Sequence, residues 1–116
     1  LDYSQFGKYL HDGNPDSIEG VYRSADKRYV IALIKNETNS HDFIGVVVSA
    51  DNPYWKEGEV KFNFKRKDSQ VLEGYYYDSK GIAYPITFKI GKSTIDTELL
   101  EKVDLVEIEA GSYALL

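Results

Sequence analysis

The sequence predicts an all-β domain: an eight-stranded antiparallel up-and-down barrel carrying a short N-terminal helix. Three observations carry this. From Ser17 onward apolar residues recur at period two, in short segments bounded by turn residues. The links between segments are mostly of hairpin length, so successive strands are antiparallel neighbours. No stretch between them is long enough for a crossover helix, which excludes doubly wound and βαβ folds.

The elements follow in order. Asp2 caps a helix whose Tyr3, Phe6, Tyr9 and Leu10 fall at helical spacing. Gly7 inside it costs about 1 kcal/mol relative to alanine, and Gly13 with Asn14-Pro15 ends it. This helix and linker occupy 1–16 and are expected to pack against one end of the sheet; the barrel occupies 17–116. Strands are predicted at Gly20 to Ser24, Tyr29 to Asn36, Asp42 to Ala50, Glu59 to Lys67, Val71 to Asp78, Ala83 to Ile90, Ser93 to Leu99 and Val103 to Ala110. In the fourth, Val60, Phe62 and Phe64 alternate with Glu59, Lys61, Asn63 and Lys65, the pattern of a strand with one wet face. In the third, Phe43 to Val48 is apolar almost throughout and holds Gly45, so both its faces are covered or another backbone comes close. A meander of eight strands leaves two edges unless it closes, and closure into a barrel removes them. A two-sheet sandwich is the alternative, but only the link at Asp51 to Gly58 is long.

At 116 residues the chain fits one domain with one real core. A net charge of -5 opposes nucleic-acid binding, which needs a basic face. The basic cluster Lys61, Lys65, Arg66 and Lys67 reads instead as a solvated edge that resists aggregation. The absence of cysteine excludes disulfides, a thiolate nucleophile and zinc-thiolate sites. No run approaches the roughly 20 apolar residues of a membrane-spanning helix. The chain begins with Leu1, which suggests a mature product or a domain of a longer chain, with adjacent domains as partners.

The segment Ser17-Ile18-Glu19-Gly20-Val21-Tyr22 resembles the Gly-x-Trp opening of lipocalins and other calycins, with Tyr22 in the tryptophan position. Together with Phe43-Ile44-Gly45-Val46, the run Tyr54 to Lys61 and Gly74-Tyr75-Tyr76-Tyr77, the chain resembles lipocalin-like accessory domains of secreted bacterial proteins, some joined to peptidase modules. The resemblance implies an exported protein, secreted or periplasmic, that binds and does not catalyse. The late lipocalin features, a Thr-Asp-Tyr turn and an arginine on the last strand, are absent. The expected final strand carries Asp104, Glu107 and Glu109 instead.

Catalytic and metal sites are not expected. Ser40-His41-Asp42 has the residue types of a hydrolase triad, but adjacent residues on an extended chain point to opposite sides. His11 and His41 are the only histidines, so a multi-histidine metal site is impossible. The acidic set Glu98, Glu101, Asp104, Glu107 and Glu109 alternates with apolar residues as a wet strand face does, and Asp12 to Asp16 lacks the spacing of a calcium loop. No cofactor is implied. The aromatics are more telling: ten tyrosines, five phenylalanines and one tryptophan. The expected function is non-enzymatic binding of an apolar small molecule or a protein segment. The expected lining is Tyr22, Ile31, Leu33, Phe62, Phe64, Tyr76 and Phe88, with Tyr54 and Trp55 near the mouth. The alternative is a filled barrel or sandwich that binds protein or carbohydrate through Trp55 and the face bearing Tyr75 and Tyr77.

Overall fold

The structure is a computed structural model that describes residues 2–36 and 42–116; Ser40 and His41 of the triad-like tripeptide lie outside them. Helix α1 (Tyr3–Asp12) is followed by β1 (Gly20–Ser24), β2 (Tyr29–Lys35), β3 (Phe43–Ala50), β4 (Val60–Asp68), β5 (Val71–Tyr77), β6 (Ala83–Ile90), β7 (Ile95–Asp96), β8 (Leu100–Val103), β9 (Leu105–Glu109) and β10 (Ser112–Leu115). The first eight strands form one antiparallel sheet in the order β7-β6-β5-β4-β3-β2-β1-β8, nearly closed into a barrel. Strands β9 and β10 form a separate hairpin.

Closure stops at the seam between β7 and β8, which are the two edges of the sheet. Lys102 Nζ ties the seam by donating to the carbonyls of Ser93 (2.8 Å) and Ser17 (2.9 Å). The β6 edge is blunted. Ile90 donates its N–H to Gln70, so even-numbered β6 residues bond β5 and odd-numbered ones face the seam. Pro85, with no N–H to offer, sits on that free edge.

Two cores lie on opposite faces of β1–β3. Inside the barrel, Ile18, Tyr22, Ile31, Leu33, Phe43, Val47, Phe62, Phe64, Leu72, Phe88 and Ile95 pack together. On the outside, Phe6 of α1, Val21 and Ala32 of the sheet, and Leu105 and Tyr113 of the hairpin form a second cluster. The helix uses the stripe expected of it, Tyr3, Phe6, Tyr9 and Leu10. It does not pack against an end of the sheet, however, but lies with the hairpin over its outer face. This explains the apolar run of β3, whose Val47 faces the barrel core while Val48 joins the outer cluster.

Asp2 Oδ1 caps α1, accepting from the N–H groups of Ser4 (2.9 Å) and Gln5 (3.3 Å). The buried carboxylate of Glu19 locks α1 to the barrel. It accepts from Tyr9 Oη (2.7 Å), the Asp16 N–H (2.7 Å) and the Lys35 N–H (2.9 Å). The nearby barrel end is stopped by Ile18, which is wholly buried and whose carbonyl accepts from Tyr22 Oη at 2.6 Å. Arg66 adds an ion pair to Asp16 at 2.7 Å and lies over the Phe43 ring.

The last two expected strands differ from those observed. Only Ile95 and Asp96 of Ser93 to Leu99 pair with β6, and the eighth barrel strand is Leu100–Val103. The expected strand Val103 to Ala110 is split at Asp104: Val103 ends β8, and Leu105 begins the hairpin that covers α1. Gly111, at φ 80, makes the hairpin turn. Alternation does not mark the buried face there, since Leu105 is buried while Ile108 is 64% exposed, and it does not say which apolar surface a strand covers.

Candidate functional site

The barrel end opposite Ile18 is the candidate site, and it is built from the 51–58 loop, the 78–82 turn and the first residues of β2 and β4. Asn52 organises the loop. Its Oδ1 accepts from the N–H groups of Tyr54 (3.0 Å) and Trp55 (3.3 Å), while its Nδ2 donates to Tyr29 Oη at 2.7 Å. One amide thereby turns the loop and fastens it to β2, setting Trp55 against the rim of the core.

A β-bulge sets the second feature. Gly45 pairs with Phe62 but Val46 pairs with Val60, so Lys61 is an extra residue in β4. The expected alternation fails at this point. Val60 faces the outside, where it is 39% exposed, and Lys61 leans over the barrel mouth. Its Nζ lies 4.1 Å from the centre of the Trp55 ring and 4.6 Å from that of Tyr29. Lys61 is thus not part of a solvated basic edge. Burial pushes its pKa below the ordinary lysine value, with the charges of Asp78 and Asp26 acting in the opposite direction.

Asp78 orders the neighbouring turn. Its Oδ1 accepts from the N–H groups of Lys80 and Ile82, each at 2.9 Å, and its Oδ2 accepts from Tyr84 Oη at 3.1 Å. The bond from the Ile82 N–H leads in holding its carboxyl below the usual range, followed by those from Lys80 and Tyr84. Tyr84 in turn stacks on Tyr76, with ring centres 5.2 Å apart.

On the outer side of this rim runs an open groove of about 450 Å³. Tyr54, Trp55 and Tyr77 supply rings; Glu59, Asn63, Asp78 and Lys80 supply polar groups. Asn63 Nδ2 donates to Tyr77 Oη at 2.7 Å, which fixes that ring across the strand pair.

The expected site residues fall into two groups. Tyr22, Ile31, Leu33, Phe62, Phe64 and Phe88 point into the barrel, where they pack on one another. Phe64 stands 5.5 Å from Phe62 and 5.4 Å from Phe88, centre to centre. Tyr54, Trp55 and Tyr76 are at the open end: Tyr54 is 72% exposed, Tyr76 36%, and Trp55 is half-buried. The groove reaches Tyr54 and Trp55 and is lined by none of the six interior residues. Tyr29, Asn52, Lys61 and Asp78 were not anticipated. Asp51-Asn52-Pro53 carries a turn signal that points to Asn52, whereas nothing in the alternation of β4 announces the bulge.

Among the described residues no three His, Asp or Glu side chains gather as metal ligands do, and no helix is long and apolar enough to cross a membrane. Comparison with known proteins finds no matching family model, no matching curated protein and no matching solved structure.

Proposed function

We propose that this domain is a non-catalytic binding module that recognises carbohydrate in the groove between the 51–58 loop and the 78–82 turn. The observation that carries the reading is the mixed character of that groove: Tyr54, Trp55 and Tyr77 beside Asn63, Asp78 and Glu59. A sugar ring presents a C–H face that packs on an aromatic ring and a rim of hydroxyls that needs paired donors and acceptors. The groove offers both within one concavity of about 450 Å³, near the size range of small-ligand sites. Its parts are preorganised by Asn52, the Asn63–Tyr77 bond and the Asp78 turn.

This places the site on the outside of a filled barrel and not in an internal apolar pocket. The packing of Phe62, Phe64 and Phe88 on one another supports that choice. The test is a glycan array followed by calorimetric titration of the best hit. Saturable binding that falls at least tenfold in Trp55→Ala and in Asn63→Ala is the expected result. Binding to no glycan, together with an apolar ligand of lipid size found by native mass spectrometry, overturns the reading in favour of an internal pocket.

A further inference from the structure

We infer that the Tyr29–Trp55 pair at the barrel mouth is a binding site for a quaternary or N-methylated ammonium group, filled in the free protein by the chain's own Lys61. The site lies on the inner side of Trp55, apart from the proposed carbohydrate groove, and does not depend on that proposal.

Three observations lead to it. The Lys61 ammonium sits over two aromatic rings, at 4.1 and 4.6 Å from their centres, well inside the reach of a cation–π contact. It has been brought there by a β-bulge, without which strand alternation places it on the wet face. Among the described residues its Nζ makes neither a hydrogen bond nor an ion pair. The ring of Tyr29 is held by Asn52 and that of Trp55 by its loop, so the two plates stand without Lys61.

The last observation decides the ligand class. A primary ammonium carries three N–H donors that are hydrogen-bonded in water. At this site it finds aromatic faces and no protein acceptor within bonding distance, so part of its hydration is exchanged for ring faces that take up none of its N–H groups. Lys61 is therefore a poor resident, and the downward shift of its pKa by burial has the same origin. It stays because its tether makes binding intramolecular. A cation whose nitrogen bears methyl groups has no N–H to leave unpaired and spreads its charge over C–H groups that pack on the rings. Asp78 and Asp26 favour a cation from a distance, and the net charge of -5 acts the same way.

Trp55, the only tryptophan, reports directly on the site. Tetramethylammonium chloride is titrated into the wild type and into Lys61→Ala, with sodium chloride and neopentyl alcohol as the ionic and the uncharged isosteric controls. Lys61→Ala is expected to show a saturable change in Trp55 fluorescence with tetramethylammonium at least tenfold below the concentration the wild type needs. Adding Tyr29→Leu removes that gain. In the wild type, the Lys61 Hε resonances, shifted upfield by the two rings, move to ordinary lysine values as tetramethylammonium saturates. The inference is overturned if Lys61→Ala responds no better than the wild type, or if neopentyl alcohol does as well as the cation. Should Lys61→Ala not fold, the wild-type Lys61 resonances decide alone: no movement with tetramethylammonium overturns it.

Discussion

Replacing Glu19 by alanine tests whether one buried carboxylate joins the helix to the barrel. Three donors end on it: the Tyr9 hydroxyl from α1, the Asp16 N–H from the linker and the Lys35 N–H from β2. Lys35 Nζ stands further off, at 3.9 Å. Each hydrogen bond to a charged group contributes roughly 1.5 to 3 kcal/mol, so the three amount to about 4.5 to 9 kcal/mol gross. Burial of the carboxylate offsets several kcal/mol of this, and its removal leaves three donors short of an acceptor at about 1 to 3 kcal/mol each, so a net loss of about 3 to 5 kcal/mol is expected. For a chain of this size that corresponds to a fall in Tm of about 12 to 20 °C. The assay is urea and thermal unfolding followed by Trp55 fluorescence and by circular dichroism. Glu19→Gln keeps one acceptor oxygen but turns an amide N–H₂ toward a donor, and is expected to lose about 1 to 3 kcal/mol. A double-mutant cycle with Tyr9→Phe isolates the helix contact, expected to couple by at least about 0.5 kcal/mol. A loss below about 1 kcal/mol for Glu19→Ala, within the range of an ordinary surface change, refutes the assignment.

Three more outcomes follow from the packing. Gly7→Ala gains helix propensity of about 1 kcal/mol, yet the new Cβ falls against the Tyr113 ring, so overpacking of about 1 to 3 kcal/mol wins; urea midpoints should show net destabilisation, and a more stable variant refutes the contact. Phe64→Ala, at the centre of the inner core and fully buried, should lose about 3 to 5 kcal/mol by the same measurement, and tolerance of the change refutes a filled interior. Tyr22 supplies the pH dependence: burial, the largest cause, raises its pKa above the ordinary tyrosine value of about 10. The unfolded chain therefore ionises first, and the stability from this group, complete below that ordinary value, is lost as pH rises through the folded value. Tyr22→Phe should be less stable than the wild type at pH 8 through loss of the bond to the Ile18 carbonyl, with the gap narrowing above about pH 10; a constant gap refutes the shift.

The barrel was legible because period two is set by the backbone itself, and each hairpin declares its partner through a short turn. Tyr22, Ile31, Leu33, Phe62, Phe64 and Phe88 all point inward as their alternation requires. What stayed hidden depends on contacts distant in sequence. The segment after Val103 alternates like a barrel strand, but its Leu105 finds the outward residues Val21 and Ala32 and the helical Phe6 instead. Gly7, a defect when the helix is considered alone, is the hole into which Tyr113 fits. At the mouth, the bulge at Lys61 inverts a pattern that reads without interruption from Glu59 to Lys65. A bulge adds one residue to one strand, and whether that occurs depends on the length the partner strand must match.

If the open end binds as proposed, the two ends of the barrel divide stability from recognition by the same chemistry used in opposite ways. At the closed end the charges next to Ile18 are compensated at contact: Arg66 meets Asp16, Glu19 meets three donors, and Ile18 is buried beside them. At the open end the aromatic groups are held in place from behind, by Asn52, Asn63 and Asp78, while ring faces and edges remain toward solvent. Fixing a ring through its hydroxyl, as Tyr29, Tyr77 and Tyr84 are fixed, removes its rotational freedom before anything binds. Lys61 is the exception, a charge set over two rings with no hydrogen bond or ion pair among the described residues. It is therefore the group whose replacement should alter binding without disturbing the closed-end network that carries the fold.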